Sequence, residues 1–272
     1  MIRMFRWLSV LCNIVLIGGF LGIAILSSGG EHELPWWVIF LGIVFFFAWG
    51  GFVIILGHVV ANKLNNKIIS KLSEDCDPQA FINRYQKILG ERKIPELRQY
   101  MLLNLCSAYG YLGEEAEVQK ILNELSGQRY FTQTGLGAQN KVAFMLQIAS
   151  HNMFDKNVEN AERAIENAKE VLENPKLHES VRARCYEGIT AYKFEINMLR
   201  GEYGGAEDYF TIAFDRAKTK LERVGAKYRL GTIYIHFGES EKAEEAFRYV
   251  VENGNKTYYV AKAKEQLAKL MG

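Results

Sequence analysis

The sequence has few cysteines, and their scatter excludes two common kinds of site. Only four occur in 272 residues, at Cys12, Cys76, Cys106 and Cys185. They form no Cys-x-x-Cys pair, and no histidine stands at metal-ligand spacing from them, so neither a zinc site nor a disulfide framework is expected. Outside the apolar N-terminal region, we interpret them as small buried hydrophobic residues in a reducing compartment.

The motifs of common enzyme classes are also missing. The chain contains no Gly-x-x-x-x-Gly-Lys-Ser/Thr loop, no Gly-x-Ser-x-Gly elbow and no His-Glu-x-x-His pair. The segment 135–137 is a lone Gly-x-Gly with no strand before it. His151, His178 and His236 have no serine, cysteine or carboxylate at a catalytic spacing. We therefore expect no enzymatic activity, no cofactor and no metal site.

A charge excess of either sign is lacking as well. The chain has 33 basic and 31 acidic residues, which gives a formal net charge of +2, and they are interspersed downstream of residue 60. Nucleic-acid binding depends on clustered basic side chains, so no nucleic acid is expected as a partner. Lys63, Lys67 and Lys71 recur at helical spacing and act either as topology determinants or as contacts to anionic lipid.

Two long apolar runs dominate the first sixty residues. Trp7–Ser28 carries no charged side chain, and Trp36–Val60 carries none apart from a possible charge on His58. Each run is long enough for a helix to cross a hydrocarbon core of about 30 Å. The runs predict a transmembrane helical hairpin over residues 1–61, with spans at about 7–28 and 36–60.

The flanking charges orient this hairpin. Arg3 and Arg6 precede the first run, while Lys63 and the two lysines after it follow the second. Basic residues at the ends of spans mark the cytoplasmic side. The chain is thus expected to be a two-span protein of the cell membrane, with both termini and the C-terminal domain cytoplasmic.

Two features of the first run leave alternatives open. Residues 1–30 also have the basic start and small-residue end of a signal peptide, although the run is longer than such a peptide needs. Gly18 and Gly22 form a Gly-x-x-x-Gly pair that lets helix backbones approach closely. That pair fits either packing of the two spans within one chain or self-association.

Downstream, apolar residues recur with a helical period, and the pattern predicts an all-α region. Residues 62–76 are expected to form a juxtamembrane helical linker, and Asp77 followed by Pro78 is typical of a helix start. One spacing repeats: an apolar residue, another four residues on, and a third three residues later. It occurs at Val118, Leu122, Leu125; Ala161, Ile165, Ala168; Ala206, Phe210, Ala213; and Ala243, Phe247, Val250.

The repeat resembles the tetratricopeptide (TPR) family, whose unit is a helix–turn–helix of about 34 residues. The best match runs from Leu230-Gly231 through Tyr234 and Gly238 to Ala243 and Phe247. The repeat units of this chain are longer than the about 34 residues typical of the family. Lys193 and Phe194 also stand where the family pattern has an apolar and a small residue. The resemblance covers residues 77–272 and none of the hairpin, and it implies a TPR-like α-solenoid of stacked helical hairpins; another kind of α-solenoid is the alternative. Together with the two-helix transmembrane hairpin predicted from the apolar runs, this indicates a bacterial-type membrane-anchored TPR-like protein. Gly231 is expected at the closest helix crossing.

The resemblance implies binding of a protein or peptide in a concave groove lined by the first helix of each unit. The expected groove residues are Asn104, Ser107, Tyr111, Leu146, Ser150, Phe154, Tyr228, Thr232 and His236. Glu244 and Lys262 are expected on outward faces. Two functions remain open: a membrane-anchored scaffold or adaptor, and an accessory subunit of a membrane transport or secretion complex assembled through its hairpin.

Overall fold

A computed structural model describes residues 36–90, 95–127, 135–175 and 177–271. Within these ranges the chain forms eleven helices and no strand, so the all-α prediction is confirmed for them. The predicted first span at 7–28, the turn after it, and the Gly18/Gly22 pair lie outside the described residues.

The helices are numbered here in chain order. They are α1 Trp36–Ser73, α2 Pro78–Leu89, α3 Pro95–Leu112, α4 Glu115–Ser126, α5 Gly135–Phe154, α6 Val158–Leu172, α7 Glu179–Leu199, α8 Ala206–Arg216, α9 Lys220–His236, α10 Ser240–Asn253 and α11 Tyr258–Met271.

The chain divides into two compact units, Met1–Lys67 and Ile68–Gly272. In the first, α1 exposes large apolar side chains, among them Trp37, Phe40, Phe45, Phe52 and Val59. Among the described residues, no helix meets the combined requirements of length, hydropathy and low charge for crossing a membrane. The second unit begins at Ile68, inside the segment that the sequence pattern assigns to a linker.

Local signals in the second unit set the helix ends. Asp77 caps α2, because its side chain accepts a hydrogen bond of 3.0 Å from the Ala80 N–H, as the Asp-Pro pair predicts. Gly113 and Gly238 have φ of +78° and +75° and end α3 and α9 in the left-handed conformation that glycine adopts without strain.

The predicted repeat positions are buried in the cores of this unit, apart from the half-buried Ala213. Ala243, Phe247 and Val250 are fully buried, and the corresponding residues of α4 and α6 are buried too. At Gly231 on α9, a Cβ atom would lie only 2.7 Å from the Phe247 ring on α10. The prediction that two helices cross closely at Gly231 is confirmed.

The two ends of the second unit are joined by contacts that we call the clasp, formed by Asp75, Cys76, Asp77, Asn255 and Lys256. The Asn255 Nδ2 donates to the Asp75 carbonyl at 2.7 Å, and the Lys256 N–H donates to the Cys76 carbonyl at 3.2 Å. The Lys256 Nζ lies 2.8 Å from the Asp77 Oδ2. The clasp thus joins the segment before α2 to the turn before α11.

Candidate functional site

Alternate helices of the second unit surround one cavity of about 510 Å³. Most of its wall comes from α3, α5, α7, α9 and α11, which we call the inner ring, and Glu115 at the start of α4 together with Lys156 and Tyr203 of connecting segments completes it. The other helices of the unit pack behind them, so α4 lies against α3, α6 against α5, and α10 against both α9 and α11. A cavity of this size lies within the range of about 300–1,000 Å³ that is usual for ligand sites.

Side-chain contacts link the first three helices of the inner ring. Between α3 and α5, the Gln147 Nε2 donates to the Ser107 Oγ at 2.7 Å. Between α5 and α7, Ser150 lies close to the Tyr192 side chain, and the two helices pack against each other. All four residues line the cavity.

Arg229 on α9 links the remaining helices. Its guanidinium lies 2.6 Å from the Glu195 Oε1 on α7 and donates at 3.1 Å to the Tyr259 hydroxyl on α11. It also donates to the Gly225 carbonyl at 2.8 Å. The Tyr259 ring in turn packs against Tyr111 on α3, with centroids 6.2 Å apart. These contacts close the inner ring, so the concave groove expected from the sequence is a cavity ringed by helices and partly open to solvent.

Four tyrosines of the cavity remain neutral at physiological pH. Burial raises the pKa of Tyr111, Tyr192, Tyr228 and Tyr258, because desolvation disfavours the phenolate. A neutral hydroxyl both donates and accepts hydrogen bonds. These side chains can therefore pair with the N–H and C=O groups of a peptide backbone.

The carboxylates of the cavity wall already have partners. Glu195 pairs with Arg229, and the Glu115 Oε2 lies 2.7 Å from the Nδ1 of His151. The other charged lining residues are Lys156 and Lys262, and both are exposed. With Arg229 included, the lining holds three basic and two acidic side chains, so its net charge is positive.

One edge of the cavity is apolar. Phe154 and Leu199, at the ends of α5 and α7, line it while remaining 50% and 43% exposed. Met153 and Met198 lie beside them in the lining. Methionine is flexible and polarizable and adapts to irregular apolar groups. This edge suits a bulky apolar side chain.

The structure brings six of the nine predicted groove residues together in the cavity lining: Ser107, Tyr111, Ser150, Phe154, Tyr228 and Thr232. The other three lie elsewhere. Asn104 donates to the Tyr85 hydroxyl at 3.0 Å, Leu146 packs in the core of α5–α7, and His236 stacks on Tyr203 at 3.8 Å.

The expectation for Lys262 is wrong, because this residue lines the cavity. The sequence analysis placed Lys262 on an outward face, whereas its helix, α11, completes the inner ring. Glu244 forms an ion pair with Arg248 on its own helix and is not among the lining residues.

Several lining residues were missed by sequence reasoning. Tyr192 follows Cys185 and Ile189 at helical spacing and so looks like a core position, but the acidic Glu195 three residues later was the signal of a polar inner face. Tyr258 and Tyr259, two aromatic residues opening the last helix, were a second signal. No local pattern indicates that Arg229 pairs with Glu195 and Tyr259, because the three residues lie on three different helices.

Within the described ranges, no group of three or more His, Cys, Asp or Glu side chains is arranged to hold a metal ion. Comparison with known proteins found no matching family model, no matching curated protein and no matching solved structure.

Proposed function

We propose that this protein is a membrane-anchored adaptor whose TPR-like solenoid binds a polypeptide in the ringed cavity and catalyses no reaction. The observation that carries the proposal is the convergence of five alternate helices on one cavity. The repeat spacing and the burial of its Ala, Phe and Val positions support the TPR-like assignment.

The chemistry of the cavity favours a polypeptide over a reacting substrate. Its neutral tyrosine hydroxyls suit backbone groups, and its apolar edge offers a place for a side-chain anchor. Of the two lining carboxylates, Glu195 pairs with Arg229 and Glu115 with His151, so neither is left without a partner.

The membrane anchor is proposed from the sequence. Trp36–Val60 has no Asp, Glu, Lys or Arg, and Trp7–Ser28 has none either. Exposed aromatic and aliphatic side chains along α1 are consistent with contact to lipid. The basic residues at positions 3, 6, 63, 67 and 71 support a cytoplasmic location for the solenoid.

A second candidate function rests on the same exposed side chains. Phe40, Phe45 and Phe52 could instead pack against another membrane protein, as in an accessory subunit of a transport or secretion complex. Under this alternative the partner contacts α1, and the cavity has a regulatory role.

Photo-crosslinking distinguishes the two functions. A photoreactive amino acid is placed in the full chain at Tyr228 in the cavity, at Phe45 on α1, or at Glu244 on α10 as a control. A polypeptide adduct from position 228 and none from 244 supports the adaptor. Adducts from position 45 alone support the accessory subunit, and no adduct at any position contradicts both.

A further inference from the structure

We infer that the segment bound in the cavity is acidic and apolar: a bulky apolar side chain flanked by carboxylates. This inference rests on the proposed function and specifies its partner. The observations that carry it are the net positive charge of the cavity lining and the position of Lys156 beside the apolar edge.

Most charged side chains of the cavity wall lie close to a partner of opposite charge or to a histidine. Glu195 and Arg229 neutralise each other at 2.6 Å, and Glu115 faces His151 at 2.7 Å. Lys156 forms no ion pair with any described residue. Lys262 reaches only Glu265 on its own helix, at 3.2 Å and on an exposed surface, where a pair is weak. An approaching carboxylate is therefore attracted, and an approaching ammonium or guanidinium group is repelled.

The apolar edge adjoins one of these lysines. Phe154 stands two residues before Lys156, and both line the cavity. Leu199 lines it from the end of α7, and Phe154 and Leu199 both remain exposed. A ligand that places an apolar side chain at this edge brings its neighbouring residues towards Lys156. Leucine, isoleucine or phenylalanine beside aspartate or glutamate matches this arrangement.

The tyrosines inside the cavity do not select the ligand by its charge. Tyr111, Tyr192 and Tyr228 are neutral phenols that serve as donors or acceptors for backbone groups. Lys156 and Lys262 are therefore the residues that select a ligand by its charge. The tyrosine hydroxyls can form hydrogen bonds with an extended or a turned peptide backbone.

The test uses a display library of random peptides and the purified full chain in mild detergent. Selection against a Ser150→Trp variant, whose cavity is filled, removes peptides that bind elsewhere. The surviving peptides are expected to be rich in Asp and Glu next to Leu, Ile or Phe. Their binding should weaken as salt is raised, because exposed charges are screened.

Charge reversal supplies the second measurement. Lys156→Glu and Lys262→Glu should each weaken the selected peptides about tenfold or more, which corresponds to about 1.4 kcal/mol. Lys120→Glu, on exposed α4 outside the lining, makes the same charge change and should leave binding unaltered. All three lysines are exposed, so the helical signal should be unchanged.

The outcomes separate the inference from the proposed function. Peptides without acidic residues, or peptides indifferent to both reversals, overturn the inference and leave peptide binding in place. Failure to select any peptide overturns both. Native mass spectrometry adds a further arm: a co-purified small molecule, or a second copy of the chain, that prevents peptide binding also overturns the inference.

Discussion

Glu195 and Arg229 form an ion pair of 2.6 Å in which the two side chains are only 23% and 19% exposed. The guanidinium also donates to the Tyr259 hydroxyl and to the Gly225 carbonyl. One side chain therefore joins α7, α9 and α11. Removing either charge leaves its partner poorly solvated, and the inner ring loses a connection between three helices.

Glu195→Ala is accordingly expected to lower the free energy of unfolding by about 3 kcal/mol, the loss typical of a broken buried pair. Chemical unfolding of the full chain, followed by circular dichroism, measures the change. Replacing both partners, Glu195→Leu with Arg229→Met, should recover much of the loss, because no uncompensated charge remains.

The matched control for this pair is Glu162→Ala. Glu162 pairs with Arg200 at 2.6 Å, but both side chains are about 40% exposed, so its loss should be below about 1 kcal/mol. Equal losses for Glu195→Ala and Glu162→Ala would contradict the assigned role of Arg229.

Gly231→Ala should destabilise the last helical pair. The added Cβ would lie 2.7 Å from the fully buried Phe247 ring, and overpacking of this kind costs about 1–3 kcal/mol. Gly188→Ala is the control, since its Cβ would meet only Leu146, at an ordinary 3.7 Å. A thermal midpoint lowered by Gly188→Ala but not by Gly231→Ala would refute the helix register.

The clasp predicts a dependence on pH. Burial favours a higher pKa for Asp77, but hydrogen bonds from Lys256 and the Ala80 N–H outweigh it and hold the pKa below its ordinary value. A carboxylate with a lowered folded pKa stabilises the fold above its unfolded pKa of about 3.9. That stabilisation is lost as pH falls through the folded pKa.

Asp77→Asn should therefore lower the thermal midpoint at pH 7, and the difference from the parent should vanish in acid below the folded pKa. Asparagine still caps α2, so the variant isolates the pair with Lys256. Asp215→Asn, at an exposed position of α8, should give no such pH-dependent difference. If the thermal midpoint of Asp77→Asn differed from that of the parent by the same amount in acid as at pH 7, the stabilising role of the Asp77–Lys256 pair would be contradicted.

The proposed topology is testable with cysteine labelling in whole cells. Burial raises the pKa of Cys76 to about 11 and of Cys106 to about 12, so both thiols should react slowly in the folded chain. Only Cys12 and Cys185 then need replacement before a new cysteine is introduced.

Single cysteines at Glu31 and at Glu244 should then behave differently. An impermeant thiol reagent should label position 31 and should reach position 244 only after the membrane is opened, because the flanking basic residues place the solenoid inside. Labelling of position 244 in intact cells would contradict the proposed orientation and the cytoplasmic location of the solenoid.

Sequence periodicity predicted those features of the fold that depend on nearby residues. The spacing that ends in Ala243, Phe247 and Val250 identified buried positions, and Gly231 was identified as a close crossing. Asp77 was recognised as a helix cap. In each case the interacting residues lie within one helical pair, so a local pattern records the contact.

The closed inner ring could not be predicted in this way. Lys256 and Asp77 are 179 positions apart, and Tyr259 meets Tyr111 from the opposite end of the unit. No periodicity links such positions in a single sequence. For the same reason Lys262 was expected on an outward face, and Asn104, Leu146 and His236 were included in a groove whose lining excludes them.

The most direct test of polypeptide binding in the cavity is a substitution that fills the cavity. Ser150 lines the cavity from α5, so Ser150→Trp places a large ring there, while Ser126→Trp, at an exposed position of α4, is the matched control. The affinity of the polypeptide crosslinked at position 228 is measured for the full chain and for both variants. We predict at least about a hundredfold weaker binding for Ser150→Trp, or roughly 2.7 kcal/mol, and unchanged binding for Ser126→Trp. Undiminished binding by a Ser150→Trp variant that retains its helical content would contradict the account.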